Sequence, residues 1–195
     1  MNFKTVTTLV LALAISGCKL LPKTEAPVDA FVPRATSAAN SQAQRFTQLS
    51  LPTPSAPVYL DTAEPQLIDQ DGSWQRIGGL RFAATPAELL QTLLADTLEQ
   101  SGMAGAVITK PLDAGARLDL ELRAFALERS ADGLTARLAF SARLVGEPTQ
   151  LKRIDVNVPV AGLGSAAVRE AWQAACDLAM QQTLQWLKTA PISKP

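Results

Sequence analysis

The sequence predicts an α+β fold: a single domain whose mostly antiparallel or mixed sheet carries two main helices on one face, with a tether ahead of it. Three observations lead there. Segments 117–128, 134–145 and 150–160 alternate apolar and polar residues, the pattern of half-buried strands with one wet face. Two other stretches, after Thr85 and after Gly164, repeat apolar residues at helical spacing. Short extended runs between residues 45 and 83 are broken by Pro and Gly, which punctuate turns.

Taken in order, Arg45–Leu49 reads as a first strand, and the prolines at 52, 54 and 57 as the loop after it. Val58–Asp61 reads as a second short strand or edge, and residues 66–69 as a further one. Trp74–Ile77 and Leu80–Ala83 flank Gly78-Gly79, a two-residue hairpin signal because both turn positions can take positive φ. Thr85-Pro86-Ala87-Glu88 starts a helix, with an N-cap threonine, proline first and glutamate third. Leu89, Leu90, Leu93, Leu94, Thr97 and Leu98 give that helix a broad apolar stripe, and Ser101-Gly102 closes it. Ala106–Thr109 is a short strand stopped by Pro111. In the three long strands Leu118, Leu120, Leu122, Ala124 and Ala126 share a face, then Leu134 to Leu144 in steps of two, then Ile154, Val156, Val158 and Val160. The last helix, Ser165–Thr189, turns Val168, Trp172, Ala175, Ala179 and Trp186 inward.

The chain opens with Lys4, an apolar run from Val6 to Ile15, and Ile15-Ser16-Gly17-Cys18. That run is too short to span a bilayer, which takes about 20 apolar residues, and suits the core of a secretory signal. Small residues leading into a cysteine resemble the bacterial lipoprotein signal. On that resemblance residues 1–17 are removed and Cys18 is acylated by palmitate-type chains. Two or more such chains anchor a protein stably, at about 0.8 kcal/mol per buried CH₂. Lys19, rather than aspartate, follows the cysteine. By the same resemblance this favours the outer membrane, facing the periplasm, over the inner membrane. Residues 18–44, rich in Pro, Ala, Ser, Thr and Gln, read as the tether, with a short extended segment near Val28–Val32 able to dock on the body. The folded domain is expected over 45–188, and 189–195 as a tail.

Composition narrows the chemistry. The 18 basic and 18 acidic residues become 17 and 18 once Lys4 leaves with the signal, a net charge of −1. That balance gives no electrostatic case for nucleic acid. Histidine is absent, which excludes Ser-His-Asp and Cys-His pairs and the usual nitrogen ligand for transition metals. With Cys18 committed to lipid, Cys176 has no intramolecular partner and reads as a small buried hydrophobe.

Motif by motif, little else carries chemistry. Gly162-Leu163-Gly164-Ser165-Ala166-Ala167 has dinucleotide-fingerprint spacing but no returning strand; it reads as a loop with Ser165 as N-cap. Asp69-Gln70-Asp71-Gly72 reads as a turn, because a calcium loop would need a bidentate acid where Gly78 stands. Asp119 and Glu121 share a strand face with Arg123 beside them and read as a solvated face. No cofactor or metal is expected, and no catalytic residue is assigned. Tyr59, Arg81 and Phe82 are the candidates for a partner-docking patch if they are exposed together.

Several words of sequence carry a family resemblance over about residues 45–188. Tyr59-Leu60-Asp61-Thr62, Leu80-Arg81-Phe82-Ala83, Pro86-Ala87-Glu88-Leu89-Leu90 and Glu99-Gln100-Ser101-Gly102 occur in the order found in the ABC-type transport auxiliary lipoproteins, with Phe82 where that family commonly has tryptophan. The resemblance implies a non-enzymatic lipoprotein partner of an Mce-type ABC system that moves phospholipid or other hydrophobic molecules. Its partners would be the periplasmic Mce-domain protein with the permease and ATPase, and the membrane through the lipid anchor; homo-oligomers are compatible with it. It carries over no catalytic or lipid-binding residue. The rival expectation is a periplasmic binding module that regulates cell-wall or Tol-like envelope machinery.

Overall fold

Three long strands, β7 (Ala116–Ser130), β8 (Gly133–Val145) and β9 (Gln150–Pro159), form the wall on which everything else is laid. The computed structural model describes residues 29–34, 36, 44–110, 115–146 and 148–191. Cys18, the signal segment 1–17 and most of the expected tether lie outside the described residues. The shorter strands are β1 (Asp29–Phe31), β2 (Leu49–Ser50), β3 (Gln66–Ile68), β4 (Trp74–Arg76), β5 (Leu80–Phe82) and β6 (Val107–Ile108). The helices are α1 (Pro86–Gln100) and α2 (Ser165–Thr189).

The wall runs β9-β8-β7 antiparallel, with Leu118 opposite Leu144 and Phe140 opposite Ile154. The other edge of β7 is shared by short parallel pieces. Leu49 and Ser50 of β2 lie beside Ala116 and Arg117, Ser55 bridges to Glu121, and Leu67 and Ile68 of β3 lie beside Leu127 and Glu128. Outside them come β6, parallel to β2, and β4, antiparallel to β3, which completes a mixed sheet of seven strands. β1 and β5 form a separate parallel pair. α2 packs across β8 and β9, with α1 beside it. The result is the α+β arrangement that the alternation and the two apolar stripes predict.

The ends of α1 follow from its sequence. Thr85 accepts from the Glu88 N–H, while the Glu88 carboxylate accepts from the Thr85 N–H (3.0 Å), a reciprocal cap that satisfies two otherwise orphaned donors. That bond, reinforced by the Thr85 hydroxyl, holds the Glu88 carboxyl below its ordinary value. At the other helix, the Arg45 guanidinium donates to the carbonyls of Leu187 and Ala190 (2.7 Å to the latter), placing a cation on the negative end of α2.

Several local expectations change. Val58–Leu60 is a 3₁₀ turn, not a strand, because Leu60 and Asp61 bond back to Pro57 and Val58. Of the expected strand 45–49, only Leu49 joins the ladder, with Ser50; Phe46 makes an isolated bridge to Ala104. Gly78-Gly79 does not join a hairpin. The hairpin is β3–β4, closed by a turn over Asp69–Ser73 in which the Gly72 N–H donates to Asp69, the Asp71 carboxylate accepts from the Ser73 N–H, and Gly72 sits at φ 80°, where a Cβ would be strained. β5 instead pairs with β1, so part of the expected tether belongs to the folded body. The N-cap of α2 is Gly164, one residue before Ser165.

The largest correction is in β7. The ladder runs Leu122 opposite Phe140 and then Ala124 opposite Ala139, leaving Arg123 as an extra residue. This bulge reverses the alternation. Beyond it Phe125 and Leu127 face the core, while Ala124 and Ala126 lie on the other face.

The core is mostly aliphatic, with one aromatic cluster. Phe125 stacks on Trp172 at 4.1 Å and 8°, and Phe82 meets both rings edge-on at 5.1 and 5.9 Å. All three are buried. Trp172 Nε1–H has no hydrogen-bond partner among the described residues. Trp186, expected inward, is only half buried; Leu184 and Leu187 fill that end of the stripe.

Candidate partner-docking surface

The face of β7–β8–β9 away from the helices is a lattice of paired charges. Asp119 accepts from Arg117 (2.6 Å) and Arg143 (2.9 Å), and Glu121 from Arg123 (3.0 Å). Arg137 spans Glu128 (3.2 Å) and Asp155 (2.9 Å). Burial alone would raise the Asp119 carboxyl, but the hydrogen bonds from Arg143 and Arg117 outweigh it and hold it low. Arg137 holds Asp155 low in the same way, and Asp155, with Glu128, pushes the Arg137 guanidinium up. Asp119 and Glu121 are therefore each neutralised by arginine, as the solvated-face reading expects.

At the margin of this lattice stands an exposed aromatic pair. Tyr59, from the 3₁₀ turn, and Trp74, from the edge strand β4, meet edge-to-face with centroids 4.3 Å apart. They are 45% and 43% exposed, and the adjoining Val58 is 90% exposed. The Tyr59 hydroxyl donates to the Arg123 carbonyl (3.1 Å), so the ring is held against the bulge of β7 rather than swinging free. Rigid aromatics presented this way lose little conformational entropy when covered. On one side of β4, Arg76 pairs with Glu64 (2.9 Å), giving the patch a charged rim.

The three residues expected to form a patch are thus distributed differently. Tyr59 is on the surface. Arg81 is exposed, but it projects from β5, between the inward-facing Leu80 and Phe82. Phe82 is 1% exposed and lies at the centre of the aromatic cluster; it is a core residue and cannot line a docking surface. Trp74, whose sequence context marks only a strand, takes its place. Its contact with Tyr59 joins positions 15 apart in sequence, and no local spacing signals it. Cys18 lies outside the described residues.

Other groups offer less. Burial, with a smaller contribution from Asp177, pushes the Cys176 thiol up to about 12, so it stays protonated and acts as packing. Among the described residues no group of His, Cys, Asp and Glu could hold a metal ion, and no helix is long and apolar enough to cross a membrane.

Among the described residues the fold is that of a single-domain α+β protein, two helices against a mixed seven-stranded sheet, whose charged wall carries an aromatic pair at its edge. The same architecture occurs in a Xanthomonas campestris protein of the DUF330 family, at a TM-score of 0.68 and 21% identity, over 84% of this chain and 96% of that one. It occurs also in an uncharacterized protein at a TM-score of 0.64 and 12% identity, over 84% and 98%. Among curated proteins none matches. The chain belongs to the ABC-type transport auxiliary lipoprotein component family, whose model matches residues 30–183. It is accordingly a lipoprotein-family component that serves ABC-type transport at the cell envelope. The family boundary at residue 30 agrees with β1 being part of the body.

Proposed function

We propose that this chain is a non-enzymatic auxiliary lipoprotein of an Mce-type ABC system that moves phospholipid or other hydrophobic molecules across the periplasm. Cys18 carries the acyl chains and fixes the protein to the periplasmic side of the outer membrane. The folded domain then engages the Mce-domain protein and, through it, the permease and ATPase. The observation that carries the docking part of this reading is the Tyr59–Trp74 pair: large rings held in place and half exposed beside charges that are already paired. A surface of that kind gains from being covered by another protein's apolar patch, while the satisfied ion pairs around it cost little to approach.

Two measurements test it. Labelled palmitate should appear on the chain and vanish in Cys18→Ser, which should also leave the membrane fraction. Pull-down by the detergent-solubilised full chain should recover an Mce-domain protein, and Tyr59→Ala with Trp74→Ala should weaken that recovery at least about tenfold. A chain that binds no Mce-domain protein in any detergent, or recovers a peptidoglycan synthase instead, refutes the reading.

A further inference from the structure

Among the described residues ahead of β2, the chain attaches to the body at two successive places, and they differ in kind. The first is residues 29–34 with Thr36. β1 lies beside β5, and the Ala83 N–H donates to the Phe31 carbonyl (3.1 Å). The Gln173 side chain then grips the backbone of Arg34 from both sides. Its Oε1 accepts from the Arg34 N–H (3.0 Å), and its Nε2 donates to the Arg34 carbonyl (2.7 Å). Two residues on, the Thr36 hydroxyl donates to the Asp177 carboxylate. These side-chain bonds are exposed, and the half-buried Phe31 reaches Phe82 only as a tilted pair at 6.4 Å. A crevice of about 360 Å³ lined by Val32–Arg34, Leu89 and Leu93 runs beside this stretch, and of its described residues only Pro33 is buried.

The second attachment is at Arg45–Phe46. Both N–H groups donate to the Met103 carbonyl (2.9 and 3.0 Å), the Phe46 ring is buried, and the Arg45 guanidinium caps α2. Segments held by solvent-exposed hydrogen bonds and little burial open at far lower free energy than the core. The first attachment can therefore come away while the second holds.

We propose that residues 29–34, with Thr36, are a releasable strap that sets the length of the leash between Cys18 and the body. With the strap docked, the 11 residue steps from Cys18 to Asp29 reach at most about 40 Å. With it undocked, the 27 steps to Arg45 reach at most about 95 Å. The docked form keeps the domain near the membrane that holds its acyl chains, and release lets it meet a partner deeper in the periplasm. The inference rests on the acyl anchor of the proposed function.

The test uses the acylated full chain reconstituted in a supported phosphatidylethanolamine–phosphatidylglycerol bilayer, with amide exchange and neutron reflectometry on the same preparation. The Arg34 and Ala83 amides should exchange at least about 100-fold faster than the amide of the buried Leu122, which donates to the Ser55 carbonyl (2.8 Å). Phe31→Ala combined with Gln173→Ala should bring the strap amides close to their intrinsic rates, leave Leu122 protected, and raise the mean distance of the domain's density from the bilayer above that of wild type. Strap amides as protected as Leu122 overturn the proposal. So does a double variant that loses protection throughout, or one whose density profile matches that of wild type with the strap open. Mass analysis of the Cys18 peptide reports the anchor separately. A missing acyl mass overturns the anchor and the leash together, whereas an acylated chain with a closed strap overturns the strap alone.

Discussion

Replacing Phe82 by alanine separates two roles that its sequence context allows, surface contact and core packing. The ring is 1% exposed and meets Phe125 at 5.1 Å, Trp172 at 5.9 Å and Phe31 at 6.4 Å. Truncation removes its transfer free energy, leaves a cavity bounded by stacked rings that relax poorly, and deletes three aromatic pairs. Buried Phe→Ala changes cost roughly 3–5 kcal/mol, and the rigidity of the Phe125–Trp172 stack argues for the upper half of that range. Against a typical total of about 5–15 kcal/mol, this is a large fraction of the stability. At roughly 2–4 °C per kcal/mol for a chain of this size, the melting temperature should fall by about 6–20 °C. Urea unfolding followed by circular dichroism measures the difference, with Tyr59→Ala as the surface control, which should lose no more than about 1 kcal/mol. A Phe82→Ala protein within 1 kcal/mol of wild type, with Tyr59→Ala the more damaging change, would refute the placement of both rings.

Two further predictions concern pH. Asp155 and Asp119 have carboxyls held below their ordinary 3.8, so their contribution is present above about pH 4 and is lost as pH falls through the lowered value. Asp155→Asn should cost at most about 1 kcal/mol at pH 7, given the partial exposure of its pair with Arg137, and should show a shallower acid loss in urea midpoints taken from pH 6 to pH 2. Cys176 runs the opposite way. Its thiol is raised from 9.0 to about 12, so its contribution is complete below pH 9 and drains away as pH climbs from there toward 12. The wild type should lose up to about 4 kcal/mol more than Cys176→Ala over that interval. Equal alkaline slopes for the two proteins would mean that the thiol is not buried as described.

How much was legible in the chain depended on whether the signal was local. Both helices and the three long strands lie within one or two residues of where alternation, caps and stripes put them, because each carries its own repeating pattern. The short strands β2, β3 and β6 owe their existence to parallel partners far away in sequence, and three or fewer residues cannot display a period. Val58–Leu60 follows Pro57 and closes on itself, whereas its apolar content suggests a strand. The bulge at Arg123 is hidden for a different reason. Leu118, Leu120, Leu122, Ala124 and Ala126 continue one phase without a break, yet the competing phase offers Phe125 and Leu127. Burying the larger side chains wins, and side-chain volume was the available cue. Phe82 could also have been read correctly: Leu80, Arg81 and Phe82 alternate, which puts the ring on the side of Leu80.

The strap meets the aromatic cluster through one ring contact, Phe31 on Phe82, and this makes their independence measurable by stability alone. A substitution that acts only on the strap can lower global stability by no more than the free energy with which the strap docks, because once it is off nothing more remains to be lost. A substitution in the core has no such ceiling. Phe31→Ala should therefore cost no more than about 1–2 kcal/mol, with Phe31 already half exposed and paired through a single tilted contact. Adding Asp177→Ala, which removes the acceptor of Thr36 and of the Gln173 Nε2–H, should then cost less in the Phe31→Ala background than in wild type, down to the share of the Gln173 contact within α2 where the strap is already free. Non-additivity of that sign, between residues on different elements, is the signature of a shared opening event. If urea midpoints instead show the two costs adding in full, the strap is part of the cooperative body and the leash has a single length.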